Sequence, residues 1–364
     1  MRVAHLVDTL HPADGEYGLS ALAGAAAGAG LELVVIALTG SEDRRAEALR
    51  AAGAVVVEEG LAPWDPRAVP ALLDTLREHR AELVHTHAPN ADVVGAAAGT
   101  RLRIPVFSTL HRIEEEPAGR LDRLRRAAKT TARARFVTRT IAVSRLQVDW
   151  YRRVAGSAHG LVVLPDGVTD PAPLPDRART RAALQVGADD VLVVSAAPMR
   201  RGKGQDLLLD AVAALPEDLG VRVVLTGDGP LRPWLEARVG REEELTGRVT
   251  FRPLPDPAAL LQAADLQVHV TRTDVMPTAA VRGLAAGIPA VTGRTGGLPE
   301  IVTRETGRTV PLDADAVAEA VAELAADPGL RGRLGEAARA RYLDRFEAGG
   351  WAERLRELYA STTR

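Results

Sequence analysis

The feature that most constrains the fold is an alternation, sustained along the whole chain, between short apolar runs and longer segments of helical period. The apolar runs are rich in β-branched residues, which favour strands. This alternation predicts right-handed βαβ units and a parallel sheet covered by helices on both faces. Nearly continuous apolar strands are expected when both faces of the sheet are buried. In the first half, the predicted strands are 3–7, 33–37, 54–57, 83–86, 106–109, 140–143 and 161–164.

A proline-rich stretch interrupts the alternation near the middle of the chain. Residues 165–175 read PDGVTDPAPLP, a composition typical of an interdomain linker. The 364 residues also exceed the size of about 250–300 residues at which single cores stop growing. We expect two α/β domains, 1–168 and 176–341, with a ligand cleft between them at the carboxyl ends of the strands. The predicted strands of the second half are 191–195, 221–226, 249–252, 266–270, 290–292 and 309–311.

Composition excludes several classes of function. Because the chain has no cysteine, it cannot use disulfides, zinc–thiolate sites, iron–sulfur clusters or thiol nucleophiles. A net charge of −2 and an aromatic content of 3% argue against nucleic-acid binding, which favours basic surfaces and stacking aromatics. No apolar run approaches the roughly 20 residues of a membrane span, and MRVAHLVDTL lacks a signal-peptide pattern. We therefore expect a cytoplasmic protein that binds no nucleic acid.

Three glycine-rich loops follow predicted strands of the second half, each before a helical segment. They are 200–204 (RRGKG), 227–230 (GDGP) and 293–300 (GRTGGLPE). Glycines at such places let backbone N–H groups approach a phosphate, and Lys203 with Arg200 and Arg201 would supply positive charge. The alternative is that these glycines only form tight turns at positive φ. Because neither the P-loop nor the GxGxxG pattern is present, a phosphate would be held in another way.

Histidines end two predicted strands of the first half. His85 and His87 are weak candidates for metal binding because no third ligand can be identified from the sequence, and the alternative is that they make structural hydrogen bonds. His111 lies at the carboxyl end of its strand and would face the expected cleft. For His111, a functional and a structural role stand about equal.

The segment 120–139 carries eight basic residues and one acidic residue, Asp122. Leu121, Leu124, Ala128 and Ala132 would share one face of a helix. One interpretation is a basic amphipathic helix, Arg120–Arg139, at an anionic lipid surface. The other, which the thin apolar face favours, is a helix that is simply solvated.

Several motifs occur in the order and spacing of a known family. The chain resembles a GT-B glycosyltransferase and is most similar to glycosyltransferase family 4, whose retaining members use nucleotide-diphosphate sugars. The resemblance covers nearly the whole length. Its motifs are 14–16 (DGE), 83–87 (LVHTH), 108–111 (STLH), 162–168 (VVLPDGV), Lys203-Gly204 with the following leucines, 227–230 (GDGP), 296–300 (GGLPE) and the tail 327–359.

The resemblance implies a fold, an activity and site residues. The fold would be α/β, with two Rossmann-like domains facing across a cleft and a final segment, 342–364, whose helix packs back on the N-terminal domain. A sugar would move from a nucleotide-diphosphate donor to an acceptor hydroxyl with its configuration retained. His111, Lys203 and Asp274 would be catalytic, and Gly15 and His87 would border the acceptor. No metal would be required if cations hold the diphosphate. The implied donor-binding residues are Arg200, Arg201, Gly227, Asp228, Gly229, Arg282, Thr295, Gly296, Gly297 and Glu300.

The chain departs from the family pattern at the donor site. The paired glutamates of the family fall on Asp274 and Arg282, and guanidinium cannot accept hydrogen bonds from ribose hydroxyls. The family's arginine before the lysine falls on Pro198 or Ala197, so Arg200 or Arg201 would have to replace it. These changes leave two hypotheses open: rearranged donor binding, or a catalytically weakened protein that binds sugar nucleotides or serves as a partner subunit. A third hypothesis is a sugar-nucleotide epimerase of the same fold.

Overall fold

The chain folds into two compact units, each built on its own sheet. The structure is a computed structural model, and it describes residues 1–10, 18–40, 43–114, 117–156, 160–171, 177–253 and 257–362. The first unit comprises Met1–Thr169 together with Glu347–Arg364, and the second comprises Asp170–Phe346. The second unit therefore extends beyond the expected boundary at 341, because that boundary falls inside a continuous helix, α14 (Pro328–Arg345).

The first unit contains a seven-stranded parallel sheet in the order β3-β2-β1-β4-β5-β6-β7. The predicted parallel sheet is confirmed, with strand bounds displaced by at most one residue. The order reverses between β1 and β4, the position at which ligands commonly bind in such sheets. The strands are β1 (Arg2–Val7), β2 (Glu32–Ala37), β3 (Val55–Glu58), β4 (Leu83–Thr86), β5 (Val106–Leu110), β6 (Arg139–Ala142) and β7 (Leu161–Val163).

Helices bury both faces of this sheet. One face holds a core that includes Leu22 and Phe107, and the other holds Ile36 and Leu72. This arrangement explains why the strands are apolar along nearly their whole length. The helices of the unit are α1 (Leu19–Ala26), α2 (Asp43–Ala51), α3 (Ala68–Glu78), α4 (Pro89–Leu102), α5 (Arg120–Phe136), α6 (Arg145–Ala155) and α15 (Ala348–Ala360).

The last helix, α15, belongs to the core of the first unit. Trp351 and Tyr359 are buried in the same cluster as Phe107. The Glu347 carboxylate caps the helix by accepting hydrogen bonds from the N–H groups of Gly349 and Gly350, both at 2.8 Å. The predicted return of the C-terminal helix to the N-terminal domain is confirmed.

The second unit contains a six-stranded parallel sheet in the order β10-β9-β8-β11-β12-β13. Its strands are β8 (Val191–Ala196), β9 (Val221–Thr226), β10 (Val249–Arg252), β11 (Leu266–His269), β12 (Ala290–Gly293) and β13 (Gly307–Val310). Its helices are α7 (Arg177–Ala183), α8 (Gln205–Ala213), α9 (Arg232–Val239), α10 (Ala258–Ala263), α11 (Thr278–Ala285), α12 (Leu298–Ile301), α13 (Ala314–Ala326) and α14.

Candidate functional site

Four loops meet at the carboxyl edge of the second unit's sheet, after β8, β9, β11 and β12. The Met199 N–H donates to the Asp228 carbonyl at 2.8 Å, which joins the loops after β8 and β9. The Arg272 N–H donates to the Gly202 carbonyl at 2.7 Å, which joins the loops after β8 and β11. The sequence-predicted glycine loops thus lie side by side in the folded unit.

Glycines allow these loops to approach each other closely. A Cβ on Gly227, at φ 144°, would lie 2.1 Å from the Ala197 carbonyl oxygen. A Cβ on Gly296, at φ 59°, would lie 1.9 Å from the Asp274 carbonyl oxygen. Gly297 also donates its N–H to that carbonyl at 2.9 Å. This N–H, which the resemblance assigns to donor binding, holds the loop that carries Asp274 in the structure.

Two of the predicted catalytic residues form an ion pair inside this group of loops. The Nζ of Lys203 donates to Oδ2 of Asp274 at 2.5 Å. Their side chains are 13% and 20% exposed, so both remain in contact with solvent. The pair therefore places an ammonium and a carboxylate group side by side at the carboxyl edge of this sheet.

A histidine that sequence reasoning missed lies beside this pair. His269 ends β11 and is buried, and its Nε2 has no hydrogen-bond partner among the described residues. Burial lowers the pKa of His269 to about 4; the Asp274 carboxylate raises this pKa and the Lys203 ammonium lowers it. The imidazole is therefore neutral at physiological pH. A single histidine within the apolar run LQVHV gives no local signal of such a position.

The remaining predicted donor-binding residues differ in their exposure and in their hydrogen-bond partners. Arg200 and Arg201 are exposed, and neither guanidinium is paired with another described residue. The Asp228 carboxylate accepts the N–H of Gly229 at 2.7 Å. Arg282 is half-buried on α11. Thr295 donates its hydroxyl to the Thr271 carbonyl, and Glu300 lies in the short helix α12.

In the first unit, a row of side chains crosses the carboxyl ends of β1, β4 and β5. His5 Nδ1 lies 2.9 Å from His87 Nε2, and His87 Nδ1 lies 2.9 Å from His111 Nε2. His111 Nδ1 then lies 3.5 Å from Asp166 Oδ2. We call these four residues, His5, His87, His111 and Asp166, the histidine row.

His85 lies next to the row and has a structural role. Its Nδ1 contacts the Tyr359 hydroxyl at 2.6 Å, and its Nε2 contacts the Thr109 hydroxyl at 2.7 Å. One ring nitrogen from each of His5, His85 and His87 lies within 4.8 Å of the others, so His5 is the third histidine that the sequence did not reveal. Because both nitrogens of His85 and of His87 are already hydrogen-bonded, we assign no metal to this cluster.

Burial keeps these histidines uncharged. It lowers the pKa of His5 to about 3 and holds the pKa values of His85 and His87 well below their ordinary value. His87, which the resemblance places beside the acceptor, is only 6% exposed, and its ring nitrogens face His5 and His111. Gly15, the other predicted acceptor-side residue, lies outside the described residues.

A charged cavity of about 460 Å³ opens in the first unit. The Arg125 guanidinium lies over the Trp64 ring, 5.5 Å from its centroid. Lys129 donates to the Glu114 carboxylate, and the carboxylate of Asp8 accepts the Ala91 N–H at 2.7 Å. The cavity therefore combines an aromatic face with paired charges of both signs. It is lined by Asp8, Trp64, Pro89, Glu114, Pro117, Ala118, Asp122, Arg125, Arg126 and Lys129.

Two family models match the chain, one in each half. The model described as Glycosyltransferase Family 4 matches residues 15–170. The model described as Glycosyl transferases group 1 matches residues 188–327. Between them they include nearly all the loops and strand ends that form the two sites.

Two relatives of known name come from mycobacteria. A D-inositol 3-phosphate glycosyltransferase of Mycobacterium bovis is 30% identical over 305 residues, which are 78% of this chain and 62% of that protein. A GDP-mannose-dependent alpha-(1-6)-phosphatidylinositol dimannoside mannosyltransferase of Mycobacterium tuberculosis is 36% identical over 141 residues, 38% of this chain and 36% of that protein. The chain thus spans less than two thirds of the length of these curated relatives.

Solved structures of similar fold include Anabaena HepE in complex with UDP, with a TM-score of 0.86 and 22% identity over 99% of this chain and all of that one. The sucrose-phosphate synthase of Thermosynechococcus elongatus has a TM-score of 0.78 and 22% identity, with 99% of both chains covered. At this identity the likeness shows the GT-B fold.

Proposed function

The chain belongs to the glycosyltransferases of family 4, and we propose that it is a retaining enzyme that moves a sugar from a nucleotide-diphosphate sugar to an acceptor hydroxyl. The observation that carries the proposal is the ion pair between Lys203 and Asp274 among the interlocked loops of the second unit. These are the residues that a donor needs: a cation for its diphosphate and a carboxylate for its sugar hydroxyls.

In the proposed reaction, the bond between the donor's anomeric carbon and its phosphate oxygen breaks, and the acceptor oxygen bonds to that carbon on the same face. The proton of the acceptor hydroxyl leaves with the diphosphate. Negative charge grows on the diphosphate, so fixed positive groups stabilise the transition state more than the ground state. We assign this role to Lys203 with Arg200 and Arg201, and we assign His111 to contact the donor sugar.

The same three cations support transfer without a metal ion. Guanidinium and ammonium groups stabilise a diphosphate leaving group by charge and hydrogen bonding. We therefore propose that turnover persists in the presence of a chelator such as EDTA. Activity that disappears with EDTA and returns with Mg²⁺ or Mn²⁺ would contradict this part of the proposal.

The experiment that tests the function combines donor binding with turnover. UDP, GDP, ADP and their common sugars are screened by thermal shift, and nucleotide release is then measured with and without candidate acceptors. A ligand at a hundredfold excess over its Kd stabilises the folded protein by about 2.7 kcal/mol. Lys203→Ala should abolish the shift and the release, whereas Arg333→Ala, which removes an exposed cation of α14, should preserve both.

The second hypothesis from the sequence, a protein that binds sugar nucleotides without transferring sugar, gives a different outcome of this experiment. It predicts a thermal shift without nucleotide release from any donor and acceptor pair. An epimerase would convert the donor sugar while the nucleotide stays attached. Either result would overturn the proposed transfer.

We further propose that the cavity beside Trp64 holds a polyhydroxylated acceptor. An indole face packs against the C–H groups of a sugar or cyclitol ring, while carboxylates and guanidinium groups hydrogen-bond its hydroxyls. The names of the two relatives include inositol 3-phosphate and a phosphatidylinositol dimannoside, so inositol and its phosphate are the first acceptors to test.

Helix α5 supports the proposed contact with an anionic lipid surface. Leu121 and Leu124 are 59% and 60% exposed in its first turns, where Arg120, Arg123 and Arg125 are also exposed. Mixed apolar and cationic exposure of this kind suits an anionic bilayer. Two basic residues of the segment cannot face a lipid surface. Lys129 and Arg133 are buried, and they pair with Glu114 and Asp92 respectively.

No helix in the described part of the chain is both long and apolar enough to cross a bilayer. The lipid contact is therefore tested as a surface contact, by flotation with vesicles. We expect the protein to float with vesicles that contain phosphatidylglycerol and not with pure phosphatidylcholine. A Leu121→Ser, Leu124→Ser double variant that floats equally well would contradict the assignment to α5.

A further inference from the structure

The histidine row has an internal order that its hydrogen bonds define. We propose that His5 and His87 are positioning residues that hold His111 in a single tautomer, with its Nδ1–H directed at Asp166 and its Nε2 accepting from His87. The inference deepens the proposed function, on which it rests only in giving His111 a role in transfer. The tautomer itself is a property of the first unit and can be measured without substrate.

The direction of the row follows from what each group can donate. A carboxylate only accepts hydrogen bonds, and a neutral imidazole has one N–H and one bare nitrogen. Because His111 Nδ1 faces Asp166 Oδ2 at 3.5 Å, the proton of His111 belongs on Nδ1. His111 Nε2 is then bare, so the hydrogen bond at 2.9 Å must come from the Nδ1–H of His87.

The same rule continues to the end of the row. With its proton on Nδ1, His87 has a bare Nε2, which accepts from the Nδ1–H of His5 at 2.9 Å. His5 Nε2 is then a bare nitrogen that needs an external donor. The structure shows this atom buried and without a hydrogen-bond partner among the described residues, as the last nitrogen of such a row would be.

The opposite direction is less favourable at both ends. It would direct the lone pair of His111 Nδ1 at the Asp166 carboxylate, which is repulsive. It would also place an N–H on His5 Nε2, a buried site that offers no acceptor among the described residues. One carboxylate at one end of the row thus fixes the tautomer of three imidazoles.

The row keeps these tautomers because His5 and His87 are neutral. His5 and His87 are fully buried in an environment that disfavours a second proton. A second proton on His87 would turn its accepting Nε2 into a donor and break its link with His5. A second proton on His5 would leave a buried N–H without an acceptor among the described residues.

His85 provides a matched control, because it shares the burial of His87 but not its links. The two rings are stacked, with centroids 4.3 Å apart. The nitrogens of His85 contact Tyr359 and Thr109. A substitution at His85 therefore disturbs the same packing and leaves the hydrogen bonds of the row intact.

The test is ¹⁵N NMR of the full chain with labelled histidine, in which long-range couplings distinguish a protonated from a bare ring nitrogen. We expect His5, His87 and His111 to carry their proton on Nδ1.

His87→Asn, whose amide can still donate to His111, should preserve the signal of His111, and His85→Gln should do the same. His87→Leu should shift His111 to a mixture of tautomers. A wild-type His111 with its proton on Nε2, or one that averages between tautomers, would overturn the proposal even if no variant folds.

Kinetics then separates this inference from the proposed function. His87→Leu should lower kcat with little change in the KM for the donor, and His87→Asn should restore most of the loss. If the tautomers are as expected but the wild-type chain transfers no sugar, the proposed function is contradicted and the proposed order of the histidine row is supported. If transfer occurs and His87→Leu matches His85→Gln in kcat, the positioning role is excluded.

Discussion

The ammonium of Lys203 and the carboxylate of Asp274 lie 2.5 Å apart, although 71 positions separate them in the chain. They meet because β8 and β11 are adjacent strands, so the loops that follow them share one edge of the sheet. The Asp274 carboxylate thus contacts the cation that we propose for the donor's diphosphate. If Lys203 has this role, donor binding exchanges one anion for another at its ammonium group.

This competition predicts that Asp274→Asn binds nucleoside diphosphates more tightly. An ion pair that remains in contact with solvent is worth about 1 kcal/mol, so the gain in affinity should be up to roughly fivefold. Sugar transfer should fall at the same time because a carboxylate that accepts from sugar hydroxyls is lost. Calorimetric titration with UDP and GDP measures the affinity, and nucleotide release measures the transfer.

Asp218→Asn is the control for charge alone. Asp218 is exposed in the short turn before β9, at the amino end of the sheet and away from the loops. It should leave affinity and turnover unchanged. Weaker nucleotide binding by Asp274→Asn would contradict the competition.

Substitution of Arg282 tests whether this arginine, at the position of the family's second glutamate, contributes to donor binding or impairs it. If its guanidinium binds the donor, as we propose, Arg282→Glu places a negative charge near the diphosphate and should lower turnover by about tenfold or more, since charge-assisted hydrogen bonds are worth about 1.5–3 kcal/mol. Nucleotide release at saturating donor measures this. A rise in turnover would show instead that the arginine weakens donor binding at the position where the family has a glutamate.

Acidification should destabilise the first unit more steeply than the second. His5, His85 and His87 in the first unit and His269 in the second have pKa values held low by burial. Below the ordinary histidine pKa the unfolded chain takes up protons that the folded chain refuses, so stability falls with decreasing pH. The slope is about 1.4 kcal/mol per pH unit for each such histidine, over the range from about 6.5 down to the folded pKa.

Hydrogen exchange read by mass spectrometry at pH 7.5, 6.5 and 5.5 reports each unit separately. The first unit contains three of these histidines and the second contains one. Over the same pH range, the free energy of opening should therefore fall about three times as much in the first unit as in the second. Equal losses in both units would contradict the assignment of the three buried, neutral histidines. His269→Gln should remove much of the slope from the second unit only.

The sequence predicted the fold well because its signal is local. Apolar runs separated by helical segments identify strands within one or two residues, and parallel pairing then follows from the βαβ connections. Lys203 was identified through the glycine-rich motif of its own loop, and Asp274 through the position of a glutamate in the family that the chain resembles. By contrast, the histidine row depends on register: His5 pairs with His85 across β1 and β4, and nothing near His5 in the chain indicates this. His269 and Trp64 were missed for the same reason, since their neighbours come from distant segments.

The cavity of the first unit gives a prediction that separates acceptor from donor. Trp64→Ala should raise the KM for the acceptor by up to about tenfold, since an aromatic contact is worth about 0.5–1.5 kcal/mol, and should leave the KM for the donor unchanged. Trp234→Ala, which removes an indole that is 48% exposed on α9, serves as the control. A change in the donor KM alone would exclude this cavity as the acceptor site.

Removal of the last helix should unfold the first unit and spare the second. Residues 347–364 contribute Trp351, Leu355 and Tyr359 to the core of the first unit, and loss of one large buried aromatic costs about 3–5 kcal/mol. A domain is stable by only about 5–15 kcal/mol. The free-energy cost of deleting the whole helix should therefore exceed the free energy of unfolding of the first unit. Hydrogen exchange should show rapid exchange across β1–β7 and retained protection in β8–β13, while a chain that ends at Thr362 should behave as the full chain does. Full protection of the first unit without α15 would show that this helix is dispensable for its core.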